Sequence, residues 1–228
     1  MPRSDTASLR LEAVLFDLDG LLVDTESCDY VSWRELYEFH GEELTLEAYC
    51  CHAGLYGSWD RLYGELAGRA GVETDHLHRR RLPRFEALVE ELLVLSPGLD
   101  RLLSELEAHG APCAVASSSD RDWIVRMLDG MGIRHRFAAV VSGEDVLRRK
   151  PAPDIYLQAA ARLGAAPERA VALEDSAHGI ASARAAGIRV VAVPNPVTAR
   201  QDLSQADAWV PELGEITVSY LLGLIHQS

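Results

Sequence analysis

The chain of 228 residues is long enough for one substantial α/β domain, or for such a domain with a smaller one attached, and its 48% hydrophobic and 7% aromatic residues exclude a disordered protein. Its formal net charge of −13 excludes the basic surface that non-specific nucleic-acid binding requires, so we expect no nucleic-acid partner. The polar N-terminus, the lack of an apolar run of membrane-spanning length, and four cysteines without metal-like spacing predict a reduced, cytoplasmic chain with no membrane partner.

The first predicted elements are one strand and a long helical stretch. Residues 12–16 form a short apolar run that stops at Asp17, which is typical of a buried strand. Between residues 25 and 95, apolar residues recur at spacings of three and four and glycines divide the stretch, which predicts several short helices. We therefore expect residues 25–95 to form a helical domain inserted into a larger domain made of residues 1–24 and 96–228.

Strands and helices alternate over the rest of the chain. This pattern predicts βαβ units, and hence an α/β fold with a doubly wound parallel sheet. Ligands of such sheets bind at the carboxyl ends of the strands. The predicted helices cover residues 99–109, 121–131, 154–163 and 176–186, followed by a C-terminal helix, and the predicted strands cover residues 112–116, 137–141, 170–173, 188–193 and 208–210.

Polar residues stand where four of the predicted strands end, and the topology brings these ends to one edge of the sheet. Four carboxylates crowded there would repel one another strongly, and a hard divalent cation with oxygen ligands relieves that repulsion. Mg²⁺ retains several waters and suits a shallow site, so we expect it as the cofactor. The residues concerned are Asp17 and Asp19 after the first strand, Ser117 and Ser118 after the second, Lys150 after the third, and Glu174 and Asp175 after the fourth.

A cation among carboxylates, with a lysine nearby, suits phosphoryl transfer, because the oxygens of the transferred group need positive charge and hydrogen-bond donors on several sides. A carboxylate such as Asp17 can attack phosphorus and form an acyl phosphate, while Asp19, two residues later, exchanges the proton. Ser117 and the backbone N–H groups of Leu18 and Ser118 are candidate donors to the phosphoryl oxygens. We therefore predict a small phosphorylated metabolite as the substrate.

These residues lie in four segments that resemble the four ordered motifs of the haloacid dehalogenase-like hydrolase superfamily. The resemblance is greatest to the branch that holds β-phosphoglucomutase and small sugar-phosphate phosphatases, and it covers about residues 12–25 and 96–195. One motif alone is a weak signal, whereas four in order at predicted strand ends are a specific one. The segments are Phe16-Asp17-Leu18-Asp19-Gly20, Ala116-Ser117-Ser118, Lys150-Pro151-Ala152-Pro153-Asp154 and Leu173-Glu174-Asp175-Ser176-Ala177-His178-Gly179-Ile180.

The resemblance implies a role for each of these positions. Asp17 would be the nucleophile and a Mg²⁺ ligand, and Asp19 would be the general acid and base with its main-chain carbonyl on the metal. Glu174 and Asp175 would complete the metal site. Residues 25–95 would form a mobile cap with hinges at 24–25 and 95–96. The implied catalytic set is Asp17, Asp19, Ser117 and Lys150, and the implied phosphate- and substrate-binding set is Leu18, Gly20, Thr25, Ser117, Ser118 and Lys150.

Two other functions compete with a phosphatase. If a sugar hydroxyl rather than water accepts the phosphoryl group, the protein is a phosphosugar mutase, and the cap decides between them. Mutases of the family carry a cap histidine and a cap arginine that grip the far phosphate. Asp29 and Gly57 stand at those places here, which favours the phosphatase unless Arg61, Arg69 or Arg84 takes over. A receiver-type signalling domain also forms a phospho-aspartate, but it has no long insertion after its first strand.

Two polar clusters between residues 25 and 95 predict no site. His76-Leu77-His78 with Arg79-Arg80-Arg81 has the residue types of a metal or phosphate patch, but a charge run of this kind is usually the solvated face of a helix. Cys50-Cys51-His52 lacks the ligand spacing of a zinc site. We therefore expect the first cluster to lie on a solvated helix face and the second to bind no metal.

Overall fold

A parallel sheet forms the centre of the molecule. The computed structural model describes residues 10–54, 57, 59–91 and 93–226, and its strands are β1 (Ala13–Phe16), β2 (Cys113–Ala116), β3 (Ala139–Val141), β4 (Ala170–Glu174), β5 (Arg189–Ala192) and β6 (Ala208–Trp209). They pair side by side in the order β3-β2-β1-β4-β5-β6, and every pairing is parallel. The strand order reverses between β1 and β4, so the predicted doubly wound α/β class is confirmed.

The helices after the first strand lie where the sequence predicts them. Those that alternate with strands begin and end within one residue of the predicted positions. Within the described ranges, no helix combines the length and the apolar character needed to cross a membrane. The helices are α1 (Thr25–Phe39), α2 (Leu46–Cys50), α3 (Trp59–Ala70), α4 (Thr74–Glu91), α5 (Leu99–His109), α6 (Arg121–Gly130), α7 (Asp154–Leu163), α8 (Ala177–Ala185) and α9 (Val218–Ile225).

The strands are apolar apart from Glu174 at the end of β4 and Arg189 at the start of β5, because helices cover both faces of the sheet. Along β1, Val14 and Phe16 belong to one hydrophobic cluster and Ala13 and Leu15 to another, as expected when successive side chains point to opposite faces. The first cluster includes the apolar faces of α5, α6 and α9, and the second includes those of α7 and α8. This three-layer packing holds the strand ends rigidly at one edge, where the predicted polar residues lie.

The helices α1 to α4, here called the helical segment, have a hydrophobic cluster of their own. Trp33 of α1 packs there with Leu62 and Leu66 of α3 and with Leu77 of α4. These side chains recur at helical spacing in the sequence and are 0–1% exposed, so their burial stabilises the four helices against one another. The helical segment therefore has its own apolar centre beside the sheet.

The loop after β5 also contacts the helical segment. Val197 belongs to the cluster of that segment and is 2% exposed. The side-chain amide of Gln201 donates hydrogen bonds to the carbonyl oxygens of Cys50 and Ala53, both at 2.9 Å. The helical segment is thus attached to the sheet through this loop as well as through its two chain connections.

Candidate active site

A cavity of about 320 Å³ lies between the carboxyl ends of β1, β2 and β4 and the helical segment. Most of the predicted site residues line it, whereas Leu18, Gly20 and Glu174 do not. The convergence follows from the topology, because these strands are neighbours and run parallel. The predicted residues on the cavity wall are Asp17, Asp19, Thr25, Ser117, Ser118, Lys150 and Asp175.

Lys150 is the buried cation at the base of the cavity. Its Nζ lies 2.5 Å from Oδ1 of Asp17 and 2.6 Å from Oε1 of Glu174, and the Tyr156 hydroxyl also donates to that Glu174 oxygen, at 2.7 Å. Burial raises the pKa of Asp17 to about 8, with Lys150 opposing the shift and Glu174 adding to it. Burial lowers the pKa of Lys150, but the two carboxylates outweigh this, so its pKa is raised and the amine stays charged.

Three buried carboxylates form a compact group beside Lys150. One oxygen from each of Asp17, Glu174 and Asp175 lies within 4.8 Å of the others. Burial raises the pKa of Asp175 well above its usual value, and the charges of Glu174 and Asp17 raise it further. An all-oxygen, anionic donor set of this size fits a hard divalent cation such as Mg²⁺, which would offset the repulsion.

Two glycines allow these carboxylates to approach the backbone. Gly20 has φ +85°, and a Cβ there would lie 2.2 Å from Oδ2 of Asp175. At Gly179, a Cβ would lie 1.8 Å from Oε1 of Glu174. The N–H of Gly20 donates to the carbonyl of Val23 at 2.8 Å, so Gly20 shapes the loop that carries the first two aspartates.

The Asp19 carboxylate lies apart from that group and accepts four hydrogen bonds. Oδ1 accepts from the Thr25 hydroxyl at 3.1 Å and from the Trp123 indole N–H at 2.9 Å. Oδ2 accepts from the hydroxyls of Ser117 at 3.2 Å and Ser119 at 2.6 Å. Thr25 and Ser117, predicted as phosphate ligands, thus orient Asp19 in this structure.

Ser118 and Leu18 stabilise the backbone of the loops that carry the site residues. The Ser118 hydroxyl accepts a hydrogen bond from the backbone N–H of Lys150 at 3.3 Å, which joins the loops after β2 and β3. The Leu18 side chain is buried in the first hydrophobic cluster, and its carbonyl accepts from the N–H of Leu22 at 2.9 Å. Both residues hold the backbone around the cavity in place.

Asp29, on the part of the wall that the helical segment contributes, belongs to a buried ion pair. Asp29 pairs with Arg81, and the Tyr49 hydroxyl donates to Oδ2 of Asp29 at 2.6 Å. The Arg81 guanidinium lies 4.2 Å from the ring centre of Trp33. The prediction of a solvated face is therefore wrong for Arg81, which is 4% exposed, because its helix turns this position towards Asp29.

The other arginines proposed as phosphate ligands lie on the surface. Arg61 pairs with Glu65, Arg69 with Glu42 and Arg84 with Glu35, all between partly exposed side chains, and none of the three arginines lines the cavity. Among the described residues of the cavity wall, Lys150 is the one lysine or arginine. The part of the wall that the helical segment contributes is instead largely aromatic and acidic, with Trp59, Phe85, Glu26, Asp29 and Glu86 beside His52.

Sequence reasoning missed several polar contacts of the site. Trp123 and Tyr156 lie in helices whose patterns look amphipathic, so no motif signal marks them. Asn195 is not among the predicted site residues, yet its side chain donates to Oδ2 of Asp175 at 2.8 Å. Ser119 was visible as the third serine of its run, and that run was the available signal.

Comparisons with known proteins agree with this geometry. Residues 14–193 match the model of the haloacid dehalogenase-like hydrolase family. The putative phosphatase YhcW of Bacillus subtilis is 32% identical in an alignment that covers 93% of this chain and 96% of that protein. The fructose-1-phosphate phosphatase YqaB of Escherichia coli is 31% identical over 186 residues, which cover 81% of this chain and 97% of that protein.

A solved structure is similar over nearly the whole chain. It is a mutant of CbbY from Rhodobacter sphaeroides in complex with xylulose 1,5-bisphosphate, with a TM-score of 0.72 and 30% identity, covering 92% of this chain and 99% of that chain. Together with the relatives named as phosphatases, the family match confirms the predicted enzyme class. The chain therefore belongs to the haloacid dehalogenase-like hydrolase family, in its branch of sugar-phosphate phosphatases.

Proposed function

We propose that this hydrolase is a Mg²⁺-dependent phosphatase of a small, sugar-phosphate-like metabolite and that it acts through a phosphoryl group on Asp17. The observation that carries the proposal is the position of the buried Asp17 carboxylate, 2.5 Å from the Lys150 amine and on the wall of the same cavity as Asp19. Two relatives support a phosphorylated sugar as the substrate class. YqaB is named a fructose-1-phosphate phosphatase, and the CbbY mutant has xylulose 1,5-bisphosphate bound.

In the first half-reaction, a carboxylate oxygen of Asp17 attacks phosphorus and the ester P–O bond breaks. Asp19 gives a proton to the departing alcohol oxygen. Lys150 places its charge beside the transferred group, and Asp17, Glu174 and Asp175 are the residues that would hold Mg²⁺. When bound, Mg²⁺ supplies positive charge to the phosphoryl oxygens.

In the second half-reaction, water attacks the phosphorus of the acyl phosphate. Asp19 removes a proton from this water, and the bond between phosphorus and the Asp17 oxygen breaks, which releases inorganic phosphate and restores the carboxylate. The four donors on Asp19 hold it in one orientation for both transfers. Residues 25–95 would act as the cap that limits the access of bulk water.

The part of the wall that the helical segment contributes favours a substrate with one phosphate. A second phosphate needs a cation, but Arg81 is already paired with Asp29 and its guanidinium is buried. Aromatic rings and carboxylates instead suit the C–H faces and hydroxyl groups of a neutral sugar or polyol. The same feature counts against a mutase, which must hold both ends of a bisphosphate.

Hydrolysis of p-nitrophenyl phosphate with and without Mg²⁺ tests the proposal. We expect Asp17→Asn to abolish turnover, and we expect EDTA to abolish it reversibly in the unaltered protein. Asp100→Asn is a matched control, because Asp100 lies on the exposed side of α5 and its ion pair with Arg136 is on the surface. Unchanged hydrolysis by Asp17→Asn, or phosphoryl label on another residue after acid quench, contradicts the mechanism.

A metabolite panel tests the substrate class. Sugar monophosphates, the matching bisphosphates and β-glucose 1-phosphate are compared for released phosphate and for isomerised product. We expect phosphate release with higher kcat/KM for monophosphates. Conversion of β-glucose 1-phosphate to glucose 6-phosphate without release of phosphate would instead identify a mutase.

A further inference from the structure

Trp123 connects the proposed general acid and base to the helical segment. It lies on α6 and lines the cavity, and its indole N–H donates to Oδ1 of Asp19 at 2.9 Å. The half-reactions above count it only as one of four donors to Asp19. A hydrogen bond to a carboxylate is among the stronger ones in proteins, so this contact has a measurable effect on where the carboxylate lies.

The other donors to Asp19 differ from Trp123 in one respect. Thr25, Ser117 and Ser119 donate through hydroxyl groups, whose hydrogens rotate to suit their acceptor. An indole N–H has a single direction fixed by the ring plane. The position of the Trp123 ring therefore defines the orientation of the Asp19 carboxylate more strictly than the hydroxyls do.

Contacts with α4 determine the position of that ring. The Phe85 ring stacks on Trp123 with centroids 5.7 Å apart and planes 20° from parallel. The Arg126 guanidinium lies 4.8 Å from the Trp123 ring centre, and its NH1 is 3.8 Å from Glu86, the residue after Phe85. The indole is thus held by α4 of the helical segment on one side and by Asp19 on the other.

We propose that Trp123 is a positioning residue for Asp19, and that the Phe85 stack makes this positioning depend on the placement of the helical segment over the sheet. The inference rests on the proposed function, because it assumes that Asp19 protonates the leaving alcohol. When α4 moves away, the indole loses its stacking partner and Asp19 loses its most directional donor. Proton transfer is then efficient only with the cavity covered.

Leaving-group dependence distinguishes this role from a general structural one. p-Nitrophenolate departs as a stable anion without needing a proton, whereas the alkoxide of benzyl alcohol needs one. We expect Trp123→Phe, which keeps the ring and loses the N–H, to lower kcat/KM for benzyl phosphate by about 10- to 100-fold. For p-nitrophenyl phosphate we expect a change of less than about threefold, with phenyl phosphate between the two.

Two further variants complete the test. Phe85→Leu keeps the N–H and removes the stack, so we expect the same pattern with a smaller loss, and this variant carries the test if Trp123→Phe does not fold. Trp209→Phe is the matched control, since Trp209 is 58% exposed on β6. We expect the ratio of kcat/KM for p-nitrophenyl phosphate to kcat/KM for benzyl phosphate in this variant to equal that of the unaltered protein.

Equal losses for all three esters in Trp123→Phe, or no loss for any, would overturn the inference. If Phe85→Leu left the ratio of kcat/KM for p-nitrophenyl phosphate to kcat/KM for benzyl phosphate unchanged, the proposed dependence on the helical segment would be overturned. A failure of the proposed function would give a different result. In that case Asp17→Asn would still hydrolyse p-nitrophenyl phosphate. The two proposals therefore fail separately.

Discussion

The buried ion pair between Asp29 and Arg81 allows a quantitative prediction. Asp29 is 5% exposed and Arg81 4% exposed. Burial lowers the pKa of the Arg81 guanidinium to about 9, so at pH 7 it is charged, and the Asp29 carboxylate beside it offsets the cost of burial. Removing one partner leaves the other charge uncompensated, and we expect Arg81→Met to lower the free energy of unfolding by about 3–5 kcal/mol.

The double variant separates this cost from lost packing. Asp29→Asn together with Arg81→Met removes both charges, so neither is left alone in the apolar surroundings of Trp33. We expect the double variant to be more stable than Arg81→Met, with a coupling free energy of about 2 kcal/mol or more. If the double variant lost as much free energy of unfolding as the two single variants together, the reasoning would be refuted.

Urea unfolding followed by far-ultraviolet circular dichroism is the assay. With a denaturant slope of about 1–3 kcal/mol per M, a loss of 3 kcal/mol moves the midpoint by about 1–3 M. Arg79→Met is the matched control on the same helix, because the pair of Arg79 with Asp75 spans 3.7 Å between side chains that are 72% and 87% exposed. Its effect should stay below about 1 kcal/mol.

Three further predictions concern carboxylates in and beside the cavity. Gly179→Ala should displace the Glu174 carboxylate and lower kcat with p-nitrophenyl phosphate, since the added Cβ would lie 1.8 Å from its Oε1, and an unchanged kcat would contradict this. Burial and nearby acidic side chains raise the pKa of Glu26 from 4.5 to about 8, so the folded state holds this proton more tightly than the unfolded state does. This tighter proton binding stabilises the fold at low pH, and the stabilisation is lost as pH rises from about 4.5 through 8. Glu26→Gln should flatten the dependence of urea midpoints on pH in that window, and an unaltered dependence would contradict it. Mg²⁺ at a hundredfold excess over its Kd should stabilise the protein by about 2.7 kcal/mol, and Asp175→Asn should abolish the corresponding rise in Tm.

The sheet and the helices that alternate with it were predictable because each element has a strong periodic signal. The run before Asp17 is continuously apolar since both faces of β1 are covered, and its shortness favours a strand over a helix. The ends of strands are less defined in sequence. Residues 188–193 were predicted as one strand, but β5 covers Arg189–Ala192, the residues whose register matches Val171–Glu174 of β4.

The residues of the site were predictable as far as topology brings strand ends together. Asp17 and Asp175 follow the adjacent strands β1 and β4, and Lys150 comes from the loop after β3 at the same edge of the sheet, so topology alone predicts that they meet. Contacts that depend on helix phase were not predictable. Arg81 is one of three consecutive arginines, and only the rotation of α4 about its axis decides which of them points towards Asp29.

The loop after β5 has a consequence for attempts to exchange or delete the helical segment. A shortened chain with a brief linker in place of residues 25–91 would present Val197 to water and leave the Gln201 amide without the carbonyls of Cys50 and Ala53. Four helices transplanted from a relative would also lack the surface that contacts Val197 and the carbonyls that accept from Gln201. The segment is therefore not an independent module, and a successful chimera must carry residues 195–201 together with the helices they contact.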